Sequence, residues 1–284
     1  MVPQYEIKTC AKLRLVYEGR FFILMTERTY LATKVPAIGL AFWATKLITT
    51  GLGESWSDFF NQTLGPVTDL AIGLLSFGVF LFLQFRQPRY RVWTYWLTLL
   101  SLAIFGTFIA DATHGIGISY VAAFVIYGSA LIVTFVLWYR NAHNLSVHTI
   151  TTNHRELFYW ATVTLSFTLG TAVGDWLAES LRLGFLDTGV YLGLVFLAII
   201  AYRQYFGRFD TFTFWAAYVL TRPIGASFAD YFGYHWQHGM LGSAGMSLIW
   251  LVGFVGLFVY LLMKEGQVVK EPTLVRPEDQ LNIG

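Results

Sequence analysis

Residues 160–175 read Trp160-Ala-Thr-Val-Thr-Leu-Ser-Phe-Thr-Leu-Gly170-Thr-Ala-Val-Gly-Asp175. A tryptophan, with Tyr159 before it, is followed by glycine ten residues on and by aspartate fifteen residues on. The same frame recurs as Trp43/Gly53/Asp58, Trp96/Gly106/Asp111 and Trp215/Gly225/Asp230, preceded by Phe42, Tyr95 and Phe214. The chain's content of Trp, Gly and Asp predicts well under one accidental match, so the spacing marks an internal repeat. The aspartates lie 53, 64 and 55 residues apart. Two apolar stretches fit in each interval, so the expected unit is a helical hairpin. With two spans per unit, all four hairpins point the same way, about a pseudo-symmetry axis along the membrane normal.

Composition places these units in lipid. Of 284 residues, 56% are hydrophobic and only 13% charged, against roughly a quarter charged in soluble domains. The mean hydropathy is +0.55. Apolar runs near 37–60, 66–85, 92–113, 116–138, 157–180, 185–202, 212–233 and 240–263 approach the roughly 20 residues that cross a bilayer. Each must be helical, because a lone segment in hydrocarbon satisfies its own backbone. The expected architecture is an all-α polytopic bundle of eight transmembrane helices, arranged as four parallel-oriented helical-hairpin repeats. The repeats span about 36–88, 89–141, 153–207 and 208–263, between an N-terminal segment, 1–35, and a tail, 264–284.

Sixteen of the nineteen Lys and Arg fall on one side of this alternation, at Arg86/Arg89/Arg91, Arg140/Arg155, Arg203/Arg208 and in the two terminal segments. The opposite loops hold only Arg182. The positive-inside rule therefore makes both termini cytoplasmic in a multi-pass inner-membrane protein. No cleavable signal peptide is expected in the charged first 35 residues, which would lie on the membrane surface or cap the bundle. A net charge of +2 argues against nucleic acid as a partner. The single cysteine, Cys10, excludes an internal disulfide or a thiolate metal site. Oligomeric state is not readable.

Thr49-Thr-Gly-Leu-Gly-Glu54, Leu169-Gly-Thr-Ala-Val-Gly-Asp175 and Thr221-Arg-Pro-Ile-Gly225, within four tandem two-helix units, resemble a bacterial integral membrane protein family of four tandem repeats of unknown function. The resemblance covers about 37–263. It implies an inner-membrane protein and supplies no reaction.

Helical geometry separates two faces on each odd-numbered span. Gly53, Gly106, Gly170 and Gly225 each precede a small residue by four, a stripe that lets helices approach closely. Each aspartate lies about 140° from its glycine and shares a face with the residue four before it: Glu54, Thr107, Thr171 or Ala226. With tryptophan at the cytoplasmic interface, fifteen residues of rise put the aspartates about 22 Å away, in the outer third of the membrane. Glu179 lies one turn beyond Asp175. An ionised carboxylate facing lipid costs about 2.5 kcal/mol or more, so these groups must face protein, water or a cation.

Two intramembrane cations, Lys46 and Arg222, are expected to pair with two carboxylates and balance charge. The remaining carboxylates point to a cation site of Asp58, Asp111, Asp175 and Asp230, with Glu54 as a proton carrier or supporting ligand. Thr107, Thr171 and Glu179 would assist. Oxygen ligands favour Mn²⁺, Mg²⁺ or Ca²⁺, and adding His114, with His235 and His238 nearby, would favour Mn²⁺, Fe²⁺, Co²⁺ or Zn²⁺ over Mg²⁺. The expected function is a transporter handling a cation, a Mn-like divalent-metal exporter or metal/proton exchanger. It requires no cofactor, and its partners are the lipid bilayer and a small inorganic cation. The competing expectation is a non-transporting binding, structural or sensor protein whose aspartates hold a structural ion or hydrogen-bond helices. No nucleophile elbow, His-Glu-x-x-His or phosphate loop supports an enzyme.

Overall fold

The computed structural model describes residues 33–206, 210–235 and 241–270. Most of the N-terminal segment, the end of the tail, His238 and the side chain of His235 lie outside the described residues. Eight long helices are described: α1 Leu40–Leu64, α2 Pro66–Phe85, α3 Val92–Gly115, α4 Tyr120–Ala142, α5 Asn153–Asp175, α6 Phe185–Phe206, α7 Asp210–Asp230 and α8 Gly242–Lys270. No strand occurs among the described residues. Five-residue π-helical turns, Trp176–Ser180 and Tyr231–His235, prolong α5 and α7 directly after their aspartates.

Local chemistry sets the boundaries. Gly65 takes φ +84° between α1 and α2, and Pro66 then opens α2, where its missing N–H costs nothing. Ser119 caps α4 by accepting from the Ala122 amide, and Thr152 caps α5 by accepting from the Arg155 amide.

Six helices, α2 to α6 and α8, are long and apolar enough to cross a membrane. The apolar windows of α3 and α5 are 72% and 67% buried, whereas those of α2, α4, α6 and α8 are only 17–22% buried. The odd helices are therefore an inner layer and the even helices an outer one. Helices α1 and α7 fall below the apolar threshold because their inner faces are polar. Lys46, Thr49, Thr50, Glu54 and Ser57 are buried on α1, as are Thr221, Arg222, Ser227 and Asp230 on α7.

The four repeat glycines seat the inner layer as a closed ring. A Cβ on Gly53 would collide with Ala103 of α3, and one on Gly106 would lie 3.1 Å from Cβ of Phe167 on α5. On Gly170 it would lie 2.7 Å from Cβ of Arg222 on α7, and on Gly225 it would strike Thr50 and lie 2.8 Å from the Gly51 amide of α1. Ala103, Phe167, Arg222 and Thr50 all stand seven residues after their own tryptophan. One contact is thus repeated four times, and the fourth copy returns to the first helix. Only glycine permits this approach, as the small-residue stripe implied.

Replacing Gly225 by alanine should cost about 1–3 kcal/mol, because the added methyl meets backbone as well as Thr50. Alanine at Gly78 or Gly256, where nothing lies within 4 Å, should cause no loss. Unfolding of the detergent-purified variants compares them directly.

The packing corrects the expected hairpin unit. The two helices of a repeat touch little, and each even helix lies mainly on the odd helix of the following repeat: α2 on α3, α4 on α5, α6 on α7 and α8 on α1. Gly73 faces the Phe105 backbone, Gly189 the Phe228 ring, Gly253 the Ile48 side chain, and Trp250 covers Gly51. The reason is geometric. A short loop fixes where a chain re-enters, but the outer helix settles in the groove that buries most surface, here over the next inner helix.

A second correction concerns the tryptophans. Trp43, Trp96, Trp160 and Trp215 are only 0–7% exposed and belong to the core, not to an interface belt. Outer helices cover them: Trp43 meets Phe196 edge-on, and Trp215 meets Trp138 and Phe135. Their indole N–H groups find partners inside, from Trp96 to Tyr90 Oη, from Trp160 to Glu156 and from Trp215 to the Leu145 carbonyl.

Of the first 35 residues, those described run beneath the tryptophan end of the ring. Lys34 N–H donates to the Ile150 carbonyl and Tyr90 N–H to that of Thr33, both at 2.8 Å. The Lys34 ammonium is buried and donates to Glu156 (2.7 Å), Asn153 and the Phe85 carbonyl. Gln84 donates to the other Glu156 oxygen at 2.8 Å. This stretch is a cap built into the bundle.

Candidate functional site

Four-residue steps along the inner helices stack their side chains in layers down the ring axis. Counting from the tryptophans, the layers are Phe42/Tyr95/Tyr159/Phe214, Lys46/Leu99/Val163/Tyr218, Thr50/Ala103/Phe167/Arg222, Glu54/Thr107/Thr171/Ala226 and Asp58/Asp111/Asp175/Asp230. Each step rises about 6 Å. The aspartate layer opens into a cavity, and the layers below it are packed.

That cavity has a volume of about 800 Å³. Glu54, Asp58, Asp111, Asp175, Glu179, Asp187 and Asp230 line it, and among the described residues no Lys, Arg or His does. All four repeat aspartates therefore reach one space. Tyr234 hydrogen-bonds Asp58. Gln62 holds Tyr234 at 2.5 Å and is itself held by Ser243 at 3.0 Å. Tyr120 donates to Glu179 at 2.9 Å. The π-helical turns after Asp175 and Asp230 carry Glu179, Tyr231 and Tyr234 to the wall.

The aspartates line the cavity without assembling a coordination sphere. Among the described residues no three His, Cys, Asp or Glu side chains come together as a metal-ion group. Each aspartate stands on its own wall of the ring, and a volume equal to roughly two dozen water molecules separates the walls. His114 is not at the cavity. It is exposed, stacks on Tyr120 at 4.0 Å and places Nδ1 3.3 Å from the Ile118 carbonyl.

Glu54 forms the floor of the cavity and meets the layer below through Arg222. The guanidinium donates to Glu54, to Thr107 and, at 3.0 Å, to the Thr50 carbonyl, while Thr107 donates to Glu54 at 3.1 Å. Arg222 and Glu54 are both buried. Thr171 is buried beside this layer but donates only to the Phe167 carbonyl. Below it Lys46 departs from the expected pairing. Its Nζ has no hydrogen-bond partner and lies over the rings of Phe167, at 3.9 Å, and Tyr218, at 4.1 Å. The aromatic bulk of the neighbouring repeats occupies the space a counter-ion would need.

Several wall residues carry no repeat signature. Gln62 in the last turn of α1, Tyr120 and Asp187 in the first turns of α4 and α6, and Tyr234 in the π-helical turn after α7 stand at helix ends, outside the repeated frame. Asp69 also lies outside the repeated frame: it is buried in the first turn of α2, accepts from Ser57 at 2.8 Å and leaves Oδ1 unpartnered.

A family model described as Repeat of Unknown Function (DUF347) matches residues 41–90, 94–144, 158–209 and 213–267. Neither the curated proteins nor the solved structures yielded a match.

Proposed function

Because the chain belongs to this four-repeat family, whose description carries no activity, we propose from its geometry that it is a bilayer-spanning transporter for a hydrated cation. All eight helices cross the membrane in this reading. The polar faces of α1 and α7 are shielded in the inner ring, and both termini lie on the cytoplasmic side. One observation carries the reading: seven carboxylates share a cavity of about 800 Å³ that no Lys, Arg or His lines among the described residues. Glu54 among them is paired with Arg222. Like charges around one low-dielectric space attract and hold cations, as acidic rings do in cation pores.

The cavity volume and the separated walls favour an ion that keeps water. A divalent metal fits this reading when it is held through its hydration shell, which hard cations such as Mg²⁺ and Mn²⁺ retain readily. The packed layers beneath the floor mean that passage requires rearrangement of the ring, the alternating exposure expected of a carrier rather than an open pore. The same layers favour a second reading, a sensor or structural protein whose cavity binds a cation and never releases it on the other side.

Thermal stability of the purified protein against Mn²⁺, Mg²⁺, Ca²⁺, Zn²⁺, Co²⁺ and Na⁺ tests the site. A hundredfold excess over Kd should stabilise by about 2.7 kcal/mol, and Asp111→Asn or Asp175→Asn should remove the shift while leaving the apo protein folded. No response to any cation sinks both readings. A response without flux across liposomes leaves the sensor.

A further inference from the structure

Lys46 is the charged group that the reading above does not use. It stands two turns from Glu54 on α1, on the packed side of the floor. Its side chain has no exposure, and its nitrogen has no acceptor within hydrogen-bonding distance. The titratable groups nearby are Arg222 and Tyr218 on α7, Tyr159 on α5 and Tyr95 on α3. Glu54, on α1 itself, is already taken by Arg222. From α2, Asp69 is held by Ser57. Helix α8, on the outer side of α1, has no titratable group except Tyr260 between Gly242 and Met263. The ring faces of Phe167 and Tyr218 are therefore all that stabilises an ammonium here.

That is too little. A desolvated cation over an aromatic face gains about 2 kcal/mol, whereas burying an ammonium costs several kcal/mol even after relaxation. Arg222, of the same sign, adds to the cost. The neutral amine pays none of this and is at home between two rings. The hydroxyls nearby bond to one another and not to Nζ: Tyr218 Oη lies 3.5 Å from Tyr159 Oη, which lies 2.5 Å from Tyr95 Oη. Tyr95 in turn packs edge-on to Tyr90, in the loop before α3.

We propose that Lys46 is a proton-binding site, an amine in the arrangement described and an ammonium in another, in which the ring opens and water reaches Nζ. On release the N–H bond breaks, the electron pair stays on Nζ, and the proton passes to that water. Uptake is the reverse. The site stands on its own geometry, while the use made of its proton rests on the transport reading. An ammonium beside Arg222 weakens the negative field that Glu54 presents to the cavity. Proton and cation then oppose one another, and by linkage each displaces the other. This is the coupling an exchanger needs.

Lysine-selective ¹³C and ¹⁵N NMR of the purified full chain tests the site. The sequence has six lysines, and the Lys46 signal is the one lost in Lys46→Met. If that variant does not fold, replacing the other five one at a time assigns Lys46 by elimination. The expected result is an amine signal for Lys46 near neutral pH, where a lysine in water is ammonium. A Lys46 signal that stays ammonium from neutral to alkaline pH overturns the proposal. In liposomes carrying a pH-sensitive dye, a cation gradient should drive proton movement, and Lys46→Met should slow it about tenfold or more. An amine signal without any proton movement upholds the site and sinks the transport reading instead.

Discussion

Replacing Arg222 by methionine should destabilise the protein by about 3–5 kcal/mol, the usual result of stranding one member of a buried ion pair. The guanidinium serves three helices at once, α1 through Glu54 and the Thr50 carbonyl, and α3 through Thr107, from its own place on α7. Methionine fills much of the volume but leaves the carboxylate with Thr107 alone. The companion substitution Glu54→Gln should restore most of the loss, since neither partner is then charged. Lysine at 222 should behave more like methionine than like arginine, because an ammonium cannot reproduce the planar fork. Chemical or thermal unfolding of the three variants in one detergent measures all of this. If Arg222→Met unfolds like the unaltered protein, the pair is not what locks the inner ring.

Lys34→Met should cost a similar amount, about 3–5 kcal/mol, although it lies at the other end of the bundle. The ammonium is enclosed with Glu156, Asn153 and the Phe85 carbonyl, and both members of the pair are almost unexposed. Removing it strands the Glu156 carboxylate among Gln84 and Trp160. Linkage of this loss to the cavity should be absent. Cation-induced stabilisation in Lys34→Met should match that of the unaltered protein, measured as the difference between apo and cation-loaded unfolding. In Arg222→Met it should change, because Glu54 is then free to meet the cavity. The contrast separates a structural clamp from a pair that touches the site.

The repeat was the legible part of the fold. Spacing of Trp, Gly and Asp identified the inner helices, their contact face and the aspartates that reach a common cavity, because each of these is a property of one helix. What spacing does not encode is which neighbour a helix lies against. Helix α4 belongs to the repeat of α3 but rests on α5, and nothing in residues 120–142 distinguishes the two partners. Burial of Trp96 and Trp160 was missed for the same reason, since a tryptophan at a helix end is equally at home in lipid headgroups or beneath a neighbouring helix. Lys46 was given a counter-ion because unpaired charge is costly. The structure instead encloses its nitrogen between aromatic faces contributed 121 and 172 residues later in the chain. The π-helical turns carrying Glu179 and Tyr234 have no signature in composition at all.

Closure of the ring by its first and last helices has a consequence for how the protein is made. In the proposed eight-span arrangement α1 enters the membrane ahead of the other seven described helices, yet it carries Lys46 and Glu54 on a face too polar to rest in lipid. Its groove for α7, its guanidinium partner and its covering helix α8 all come from beyond residue 210. During elongation at about 5–20 residues per second, α1 must wait for roughly ten seconds or more with its polar face unclaimed. A nascent chain stalled before α7 should therefore keep α1 in contact with the insertion machinery or a membrane chaperone. Release should come as one late event rather than helix by helix.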